Sequence, residues 1–323
     1  MGKKIGIAFG ILGGVILVSF VAALTWPVSD SRAELAFDYN PAEWPVVKPN
    51  GEYQTRHGDT LPLRVYGDGE SDVALILLHG IGVYGYYFDE MGKFLAERSG
   101  VRVYAPDLRG HGYAPPPQGD MDHEEQLVDD LADLVNHIRE ELPLARIVVG
   151  GHSAGGGLAV RFAGSGQAED IDGFLLIAPS LGQEAPSTND HFGGLMVLRL
   201  PRLIGLSLLN TVGINALDGM EVLHLNYPEE RQRERLVMAY SWRFIKGFAP
   251  SDYAGDLASI KTPLLLVAGS DDEIFDAEHY PAIISAHVSH GEVVIKPGYN
   301  HFEDVISNLD TLEVYSDWLN RFQ

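Results

Sequence analysis

The feature that most constrains the fold of this chain is the stretch Gly151-His152-Ser153-Ala154-Gly155, which has the form G-x-S-x-G. It follows an apolar run at 146–149 and precedes a run compatible with a helix at 158–162. Strand, sharp turn and helix in this order form a nucleophile elbow, in which a strained turn exposes the serine hydroxyl. Glycines flank Ser153 because side chains there would collide where the strand and the helix meet. The alternative is a glycine-rich turn with an incidental serine, so the chain must also supply a base, an acid and an oxyanion hole.

The rest of the globular sequence alternates between strand-like runs and helical patterns. Runs typical of strands in a parallel sheet lie at 73–78, 101–105, 146–149, 174–178, 264–268 and 292–296. Helical patterns lie at 86–98, 124–141, 277–286 and 309–322. A hairpin is predicted around Gly58-Asp59. This alternation predicts an α/β fold with a mostly parallel central sheet and helices on both faces.

Residues 181–257 interrupt the alternation, because no strand pattern is clear there and helical patterns dominate. We interpret them as a helical cap inserted into a core formed by 51–180 and 258–323. The apolar residues of this block form either an acyl-binding wall or the packing of the cap against the core, and the pattern does not separate the two. The candidate substrate-binding residues are Leu195, Leu198, Phe244 and Phe248.

The N-terminal segment 5–26 carries no charge and follows Lys3 and Lys4. As a helix, these 22 residues would span about 33 Å, enough to cross the hydrocarbon core of a bilayer. We predict an uncleaved transmembrane anchor, and a signal peptide cleaved near Val21-Ala22-Ala23 is the alternative. The positive-inside rule places residues 1–4 in the cytoplasm and the main domain on the extracytoplasmic side, or secreted if the segment is cleaved.

Two further patterns concern this end of the chain. Gly6, Gly10 and Gly14 are spaced four apart, which is compatible with self-association through the apolar segment. Residues 27–50 contain four prolines, and we interpret them as an irregular tether that lifts the domain off the membrane.

Charge and composition exclude several classes of function. The net charge of −22 repels phosphates, so nucleic-acid binding is not expected. The chain has no cysteine, which excludes disulfides, thiolate catalysis and cysteine-ligated metal sites. No H-E-x-x-H, nucleotide or flavin motif occurs, so we expect neither a metal nor a cofactor.

A base and an acid are found downstream of the elbow. A serine hydroxyl is a poor nucleophile, and an imidazole suits the removal of its proton near neutral pH. Polar segments at 269–272 and 298–302 lie just past two predicted strands, where open α/β sheets place their sites. Ser153, Asp272 and His301 follow one another in the order associated with one large group of hydrolases. Asp271 is the rival for the acid.

These motifs resemble those of the α/β-hydrolase superfamily, and more narrowly its monoacylglycerol lipase, lysophospholipase and serine aminopeptidase-like branch. The resemblance covers residues 52–320 and rests on the segments His79-Gly80, 107–112, 151–155, 269–272 and 298–302. It implies that Asp272 orients His301 and that His301 takes the proton of Ser153. It also implies an oxyanion hole made by the backbone N–H groups of Ile81 and Ala154, and structural roles for His79 and His111.

The resemblance implies a serine hydrolase that cleaves carboxylic esters with a lipid-like or other apolar acyl group, as a carboxylesterase or lipase does, through an acyl-enzyme on Ser153. A peptidase or amidase and a C–C bond hydrolase of the same fold are the alternatives among enzymes. A catalytically inactive, membrane-anchored binding protein is the alternative of another class. The partners expected are therefore a small ester substrate and the membrane.

Overall fold

The computed structural model describes residues 22, 25, 34–69, 71–189 and 191–323 of the chain. The predicted anchor at 5–26 lies almost entirely outside these residues, as do the predicted cytoplasmic residues 1–4 and the spaced glycines. Across the described ranges, no helix combines the length and the apolar character needed to cross a membrane.

The described residues form eleven β-strands. They are β1 (Gly51–Gln54), β2 (Thr60–Tyr66), β3 (Val73–Leu78), β4 (Arg102–Pro106), β5 (Arg146–His152), β6 (Gly173–Ile177), β7 (Met196–Leu198), β8 (Glu221–Leu225), β9 (Ala239–Ser241), β10 (Leu264–Gly269) and β11 (Gly291–Lys296). Eight of them form one sheet in the order β1-β2-β4-β3-β5-β6-β10-β11. The β1–β2 and β2–β4 pairs are antiparallel, and the other pairs in this sheet are parallel. The predicted hairpin and the mostly parallel sheet are confirmed.

Nine α-helices lie in the described part of the chain. They are α1 (Asp89–Ser99), α2 (Gln126–Glu141), α3 (Ala154–Gly164), α4 (Leu200–Thr211), α5 (Trp242–Phe248), α6 (Tyr253–Ser259), α7 (Tyr280–His287), α8 (Glu303–Ser307) and α9 (Leu309–Leu319). Every residue of β3, β6 and β10 is buried, so the centre of the sheet is covered on both faces, as continuous apolar strands require.

The parallel strands all end at the same edge of the sheet, and their loops meet there. β3 leads into residues 79–82, β5 into Ser153, β10 into 270–272 and β11 into 297–301. The strand order therefore brings together segments that are far apart in the sequence.

The cap between β6 and β10 is not purely helical, and the expectation that it contains no strand is wrong. β7, β8 and β9 form a three-stranded antiparallel sheet beside α4, α5 and α6. β7 is three residues long and lies within a longer apolar run. Such a run has no period that distinguishes a short strand from a helix.

Of the predicted tether at 27–50, residues 27–33 lie outside the described part of the chain. Residues 34–50 are irregular apart from a 3₁₀ turn at Pro41–Glu43, but they are not a free tether. In this segment, which we name the strap, Phe37 and Tyr39 are buried. The ring of Tyr39 stacks on Phe302 with a centroid distance of 4.5 Å and an interplanar angle of 5°. Proline-rich composition indicated an irregular path, whereas the aromatic residues decide that the path is packed against the domain.

Two arginines of the cap also hold the strap. Arg233 donates hydrogen bonds to the carbonyl oxygens of Pro41 and Trp44, at 3.1 and 2.9 Å. Arg231 forms an ion pair with Asp38 at 2.8 Å. The strap therefore joins the cap to the loop that carries His301.

Candidate active site

Ser153 lies in the sharp turn between β5 and α3, with φ 56° and ψ −122°. This conformation is strained for a residue with a side chain. It is held because the amide of Ser153 donates to the carbonyl of Ile177 at 2.9 Å, while its own carbonyl accepts from the amide of Ser180 at 2.8 Å. A Cβ on Gly151 would lie 2.3 Å from the carbonyl oxygen of Gly155, so the turn admits no side chain there. The turn therefore has the geometry that G-x-S-x-G predicts.

His301 and Asp272 form a buried pair beside this turn. Nδ1 of His301 lies 2.8 Å from Oδ2 of Asp272, and both side chains are almost fully buried. An ionised carboxylate only accepts hydrogen bonds, so Nδ1 carries the proton and Nε2 is the accepting nitrogen. Oδ1 of Asp272 accepts from the amides of Ile274 and Phe275, each at 2.8 Å. The carboxylate is therefore fixed in orientation.

The rival acid, Asp271, lies away from the histidine and accepts a hydrogen bond from the hydroxyl of Ser270 at 2.8 Å. Two residues to which the sequence assigned no role hold the loop of His301. The carboxylate of Glu273 accepts from the amide of His301 at 3.1 Å. The side chain of Asn300 accepts from two amides that follow it, as asparagine does in a turn, and this preference could have identified it in the sequence.

The two predicted oxyanion donors are the amides of Ile81 and Ala154. Ala154 is the first residue of α3, where N–H groups have no partner within the helix and the helix dipole favours negative charge. Ile81 follows Gly80, and a Cβ on Gly80 would lie 3.1 Å from the Cβ of Ser153. Nδ1 of His79 lies 2.9 Å from the carbonyl oxygen of Gly80. The peptide that carries the amide of Ile81 is therefore held beside Ser153.

His79 has a single protonation pattern. Its Nε2 accepts from the amide of Leu108 at 3.0 Å, so Nδ1 is the nitrogen that donates to Gly80. Burial, and next the neighbouring ring of His111, lower the pKa of His79 well below its usual value. A neutral imidazole with fixed hydrogen bonds matches the loop-fixing role that the resemblance implies.

The loop after β4 is fixed by ion pairs. Asp107 and Arg64 are both buried and lie 2.5 Å apart, and Asp107 also accepts from the amide of Gly85 at 2.8 Å. Arg109 pairs with the buried Asp130 at 2.7 Å. Arg64 had no recognisable motif in the sequence, because its pairing with Asp107 joins two distant strands.

His152, whose role the sequence leaves open, lies directly behind His301. Its Nε2 lies 2.8 Å from the carbonyl oxygen of His301, and the two rings are 4.7 Å apart. Since a carbonyl only accepts, Nε2 of His152 carries the proton. Burial, and next the nearby His301, lower the pKa of His152 well below its usual value. His152 therefore supports the histidine loop as a neutral group.

A small cavity joins these groups. Its volume of about 10 Å³ has room for about one water molecule. It is lined by Gly80, Ile81, Val83, Tyr87, His152, Ser153, Leu195, His301 and Phe302. Ser153 and His301 thus face the same narrow, partly open space, and most of its other walls are apolar.

The predicted substrate-binding residues are divided by the structure. Leu195 lines the cavity, but Leu198 lies in β7 and is not among the lining residues. Phe244 and Phe248 pack on the ring of His111, with centroid distances of 5.3 and 6.0 Å, and do not line the cavity either. Their placement at an acyl site stays a prediction, because apolar packing residues and apolar pocket walls have the same sequence pattern.

Two other features of the described surface do not belong to this site. A depression of about 400 Å³ includes Arg146, the first residue of β5, and so lies at the opposite edge of the sheet. His57, His123 and Asp129 are close enough to hold a metal ion. The guanidinium of Arg56 occupies one oxygen of Asp129 at 3.0 Å and opposes a further cation.

Known proteins are similar to this chain over much of its globular part. A family model described as serine aminopeptidase, S33, matches residues 69–302. A non-heme haloperoxidase of Rhodococcus erythropolis is 28% identical over 251 residues, which cover 73% of this chain and 88% of that protein. An uncharacterised protein of Mycobacterium bovis is 34% identical over 118 residues. The match covers 36% of this chain and only about a third (32%) of that protein.

Solved structures share the fold. A soluble variant of monoglyceride lipase from Saccharomyces cerevisiae superposes with a TM-score of 0.64 at 19% identity, covering 88% of this chain and 99% of that one. A monoacylglycerol lipase from Paleococcus ferrophilus gives 0.62 at 18% identity, covering 81% and 99%. Fold, elbow and family model agree, and the model spans well over half of the sequence. The chain therefore belongs to the serine aminopeptidase, S33, family of the α/β-hydrolases.

Proposed function

We propose that this protein is a serine hydrolase that cleaves carboxylic esters with apolar acyl groups through an acyl-enzyme on Ser153. One observation carries the proposal: a serine in a strained turn and a histidine bonded to a buried carboxylate face the same small cavity. A serine hydroxyl needs a base to take its proton, and the accepting Nε2 of His301 supplies one.

In the proposed reaction, Oγ of Ser153 attacks the ester carbonyl carbon while Nε2 of His301 takes its proton. Asp272 stabilises the imidazolium without becoming protonated. The amides of Ile81 and Ala154 donate to the oxyanion of the tetrahedral intermediate. His301 then protonates the leaving alkoxide, which leaves an acyl-enzyme. Water then attacks the acyl carbon while His301 takes its proton. The bond from the acyl carbon to Oγ breaks, His301 returns the proton to Oγ of Ser153, and the carboxylic acid is released.

The lining of the cavity supports an apolar acyl group. Ile81, Val83, Leu195 and Phe302 contribute apolar walls. Among the described residues that line the cavity, none is a carboxylate that could pair with the free amino group of an aminopeptidase substrate. We therefore favour ester hydrolysis over peptidase or amidase activity, although the family description names an aminopeptidase.

We infer that the cap moves to widen this space when an acyl chain binds. A cavity that holds about one water molecule cannot contain an acyl chain. Leu195, which closes one side, follows three consecutive residues at positive φ, namely Phe192 at 43°, Gly193 at 56° and Gly194 at 75°. Backbone held in this region is strained for Phe192 and permissive for the glycines, so we propose this turn as the hinge that displaces Leu195.

The location of the protein is a further part of the proposal. α4 and the residue after it carry an exposed apolar stripe at four-residue spacing, each member more than half exposed, formed by Leu200, Ile204, Leu208 and Val212. A stripe of this kind indicates contact with lipid or with another protein. We propose anchoring through residues 5–26, with the catalytic domain extracytoplasmic and the stripe on the lipid surface; secretion after cleavage is the alternative. Vesicle sedimentation of a form that begins at residue 34, with and without the Ile204→Asp change, tests the contact, which the charge should weaken.

The proposed activity is tested with p-nitrophenyl esters of increasing acyl length and with aminoacyl amides. Faster turnover of the longer esters supports the proposal, and faster turnover of the amides contradicts it. A fluorophosphonate probe should label the protein but not its Ser153→Ala variant. Labelling that persists in this variant would identify another nucleophile, and an unlabelled, inactive wild-type protein would indicate a binding protein.

A further inference from the structure

The oxyanion loop is in direct contact with the cap through Tyr240 of β9. The amide of Gly82 donates a hydrogen bond to the hydroxyl oxygen of Tyr240 at 2.6 Å. The same oxygen lies 2.9 Å from Nε2 of His111. Tyr240 and His111 are fully buried, so no solvent competes for these contacts.

The hydrogen bonds through Tyr240 have one possible direction. Nδ1 of His111 lies 3.2 Å from the carbonyl oxygen of Arg109, and a carbonyl only accepts, so Nδ1 carries the proton. Burial lowers the pKa of His111 to about 4, which keeps the ring neutral near pH 7. Nε2 is therefore an acceptor and receives the hydroxyl proton of Tyr240. The tyrosine oxygen therefore acts as the acceptor for the amide of Gly82.

This chain of hydrogen bonds acts on the peptide next to a proposed oxyanion donor. The peptide before Ile81 is held by His79, which lies 2.9 Å from the carbonyl oxygen of Gly80. The peptide after Ile81 is held by Tyr240 through the amide of Gly82. Both peptide planes that meet at Ile81 are thus restrained, one from the core and one from the cap. The direction of the Ile81 amide depends on both, because a hydrogen-bond donor stabilises an oxyanion only when aimed at it.

Tyr240 is itself fixed to the core. The amide of Ser241 donates to the carbonyl of Gly119 at 3.0 Å, and the amide of Gly119 donates to the carbonyl of Gly110 at 2.8 Å. A Cβ on Gly82 would lie 2.4 Å from a methyl carbon of Leu225, so the cap also packs directly on the loop. The backbone next to Tyr240 is therefore tied to the loop that carries His111.

We propose that Tyr240 is a positioning residue for the oxyanion hole and that His111 sets the orientation of its hydroxyl. The inference rests on the proposed function. It assigns the cap a part in the chemistry besides covering the site, because the acceptor for Gly82 is in place only when β9 is seated. A cap displaced by substrate entry must return before the tetrahedral intermediate is stabilised.

The test is the Tyr240→Phe variant, which keeps the ring and removes only the hydroxyl. On a p-nitrophenyl ester we expect kcat to fall about tenfold, less than the 10²–10³ loss on removing a whole oxyanion donor, with KM within about twofold. An alkyl boronic acid forms a tetrahedral adduct with a catalytic serine and so reports on the same donors. Its affinity should weaken by about the same factor as kcat.

Two further variants separate positioning from general loss of stability. Tyr315→Phe removes another buried hydroxyl, which donates to the carbonyl of Val305 at 2.6 Å away from the oxyanion loop, and should leave kcat within about twofold. His111→Leu should lower kcat as Tyr240→Phe does, and the double variant should be no slower than the slower single variant, because the two residues act as one unit. Thermal melting shows that each variant is folded.

A folded Tyr240→Phe variant with unchanged kcat and unchanged boronate affinity would overturn the positioning role. An equal loss of kcat in Tyr315→Phe would also overturn it, because the effect would then follow from stability alone. If the wild-type protein neither hydrolyses esters nor binds the boronic acid, the proposed function fails and the positioning role falls with it. That result differs from the first two, in which the wild-type protein is active.

Discussion

Replacing Asp272 with asparagine is the change that the geometry of the site predicts in most detail. Oδ1 of Asp272 accepts from the amides of Ile274 and Phe275, each at 2.8 Å. In the Asp272→Asn variant these two backbone amides still need an acceptor, so the side-chain oxygen of the asparagine takes the place of Oδ1. Its NH₂ group must then face His301. Nδ1 of His301 then has to accept, which moves the ring proton to Nε2. That nitrogen can no longer take the proton of Ser153.

The expected loss is large and falls on the chemical step. A base held in the wrong tautomer by this substitution lowers kcat about 10⁴-fold in enzymes of the same mechanism, which corresponds to about 5.4 kcal/mol of transition-state stabilisation. The side chains are equal in size, so the 2.8 Å contact remains and KM should stay within about twofold. Steady-state hydrolysis of p-nitrophenyl esters measures both constants.

Asp271→Asn is the matched control, because Asp271 is adjacent in sequence but contacts Ser270 instead of His301. Its kcat should remain within about twofold of the wild-type value. An Asp272→Asn variant that keeps more than about a tenth of wild-type kcat would refute the tautomer argument. A large loss in Asp271→Asn instead would assign the acid to that residue.

Three further predictions concern the surroundings of the site. Gly155→Ala would place a Cβ 2.0 Å from the carbonyl oxygen of Leu78 in the central sheet, so we expect the free energy of unfolding to fall by about 3 kcal/mol. Urea denaturation measures this loss, and an unchanged unfolding midpoint would contradict it. Tyr39→Ala removes the ring stacked on Phe302, and we expect both kcat and the melting temperature to fall. A lower melting temperature with wild-type kcat would limit the strap to a structural role. Three buried histidines with lowered pKa should make the free energy of unfolding fall as the pH drops from 6.5 towards 4, by up to about 1.4 kcal/mol per pH unit for each, because the unfolded chain binds protons that the folded protein excludes. Denaturant titrations at several pH values would detect this fall, and a flat profile would contradict the prediction. The histidines are His79, His111 and His152.

The central sheet could be predicted because its strands are buried on both faces. β3 coincides with the apolar run at 73–78, and β10 extends the run at 264–268 by one residue. Helix ends were less well defined. The helical pattern at 86–98 begins as a 3₁₀ turn at Gly85–Phe88, and α1 follows it without a side-chain cap. The polar segments at 269–272 and 298–302 could be located as well, because each directly follows a strand that the sequence predicts.

The pairs that hold the site could not be predicted, since they join distant segments. Arg64 meets Asp107 through the antiparallel contact of β2 with β4. Tyr240 meets Gly82 across 158 positions of sequence. Neither tyrosine nor arginine in isolation carries a signal for its partner. The cap was the least predictable part, because its short strands and its packing residues share one apolar pattern.

The strap also determines where a shortened form of this protein can begin. The family model starts at residue 69 and the first strand at Gly51, so a boundary drawn from homology or from the sheet would remove residues 34–50. Such a form would keep Ser153, Asp272 and His301, yet it would expose the face of Phe302 on which Tyr39 stacks. We expect kinetic constants measured on it to describe a perturbed active site. A form that begins at residue 34 retains the strap, and it is the shorter form on which substrate preference should be measured.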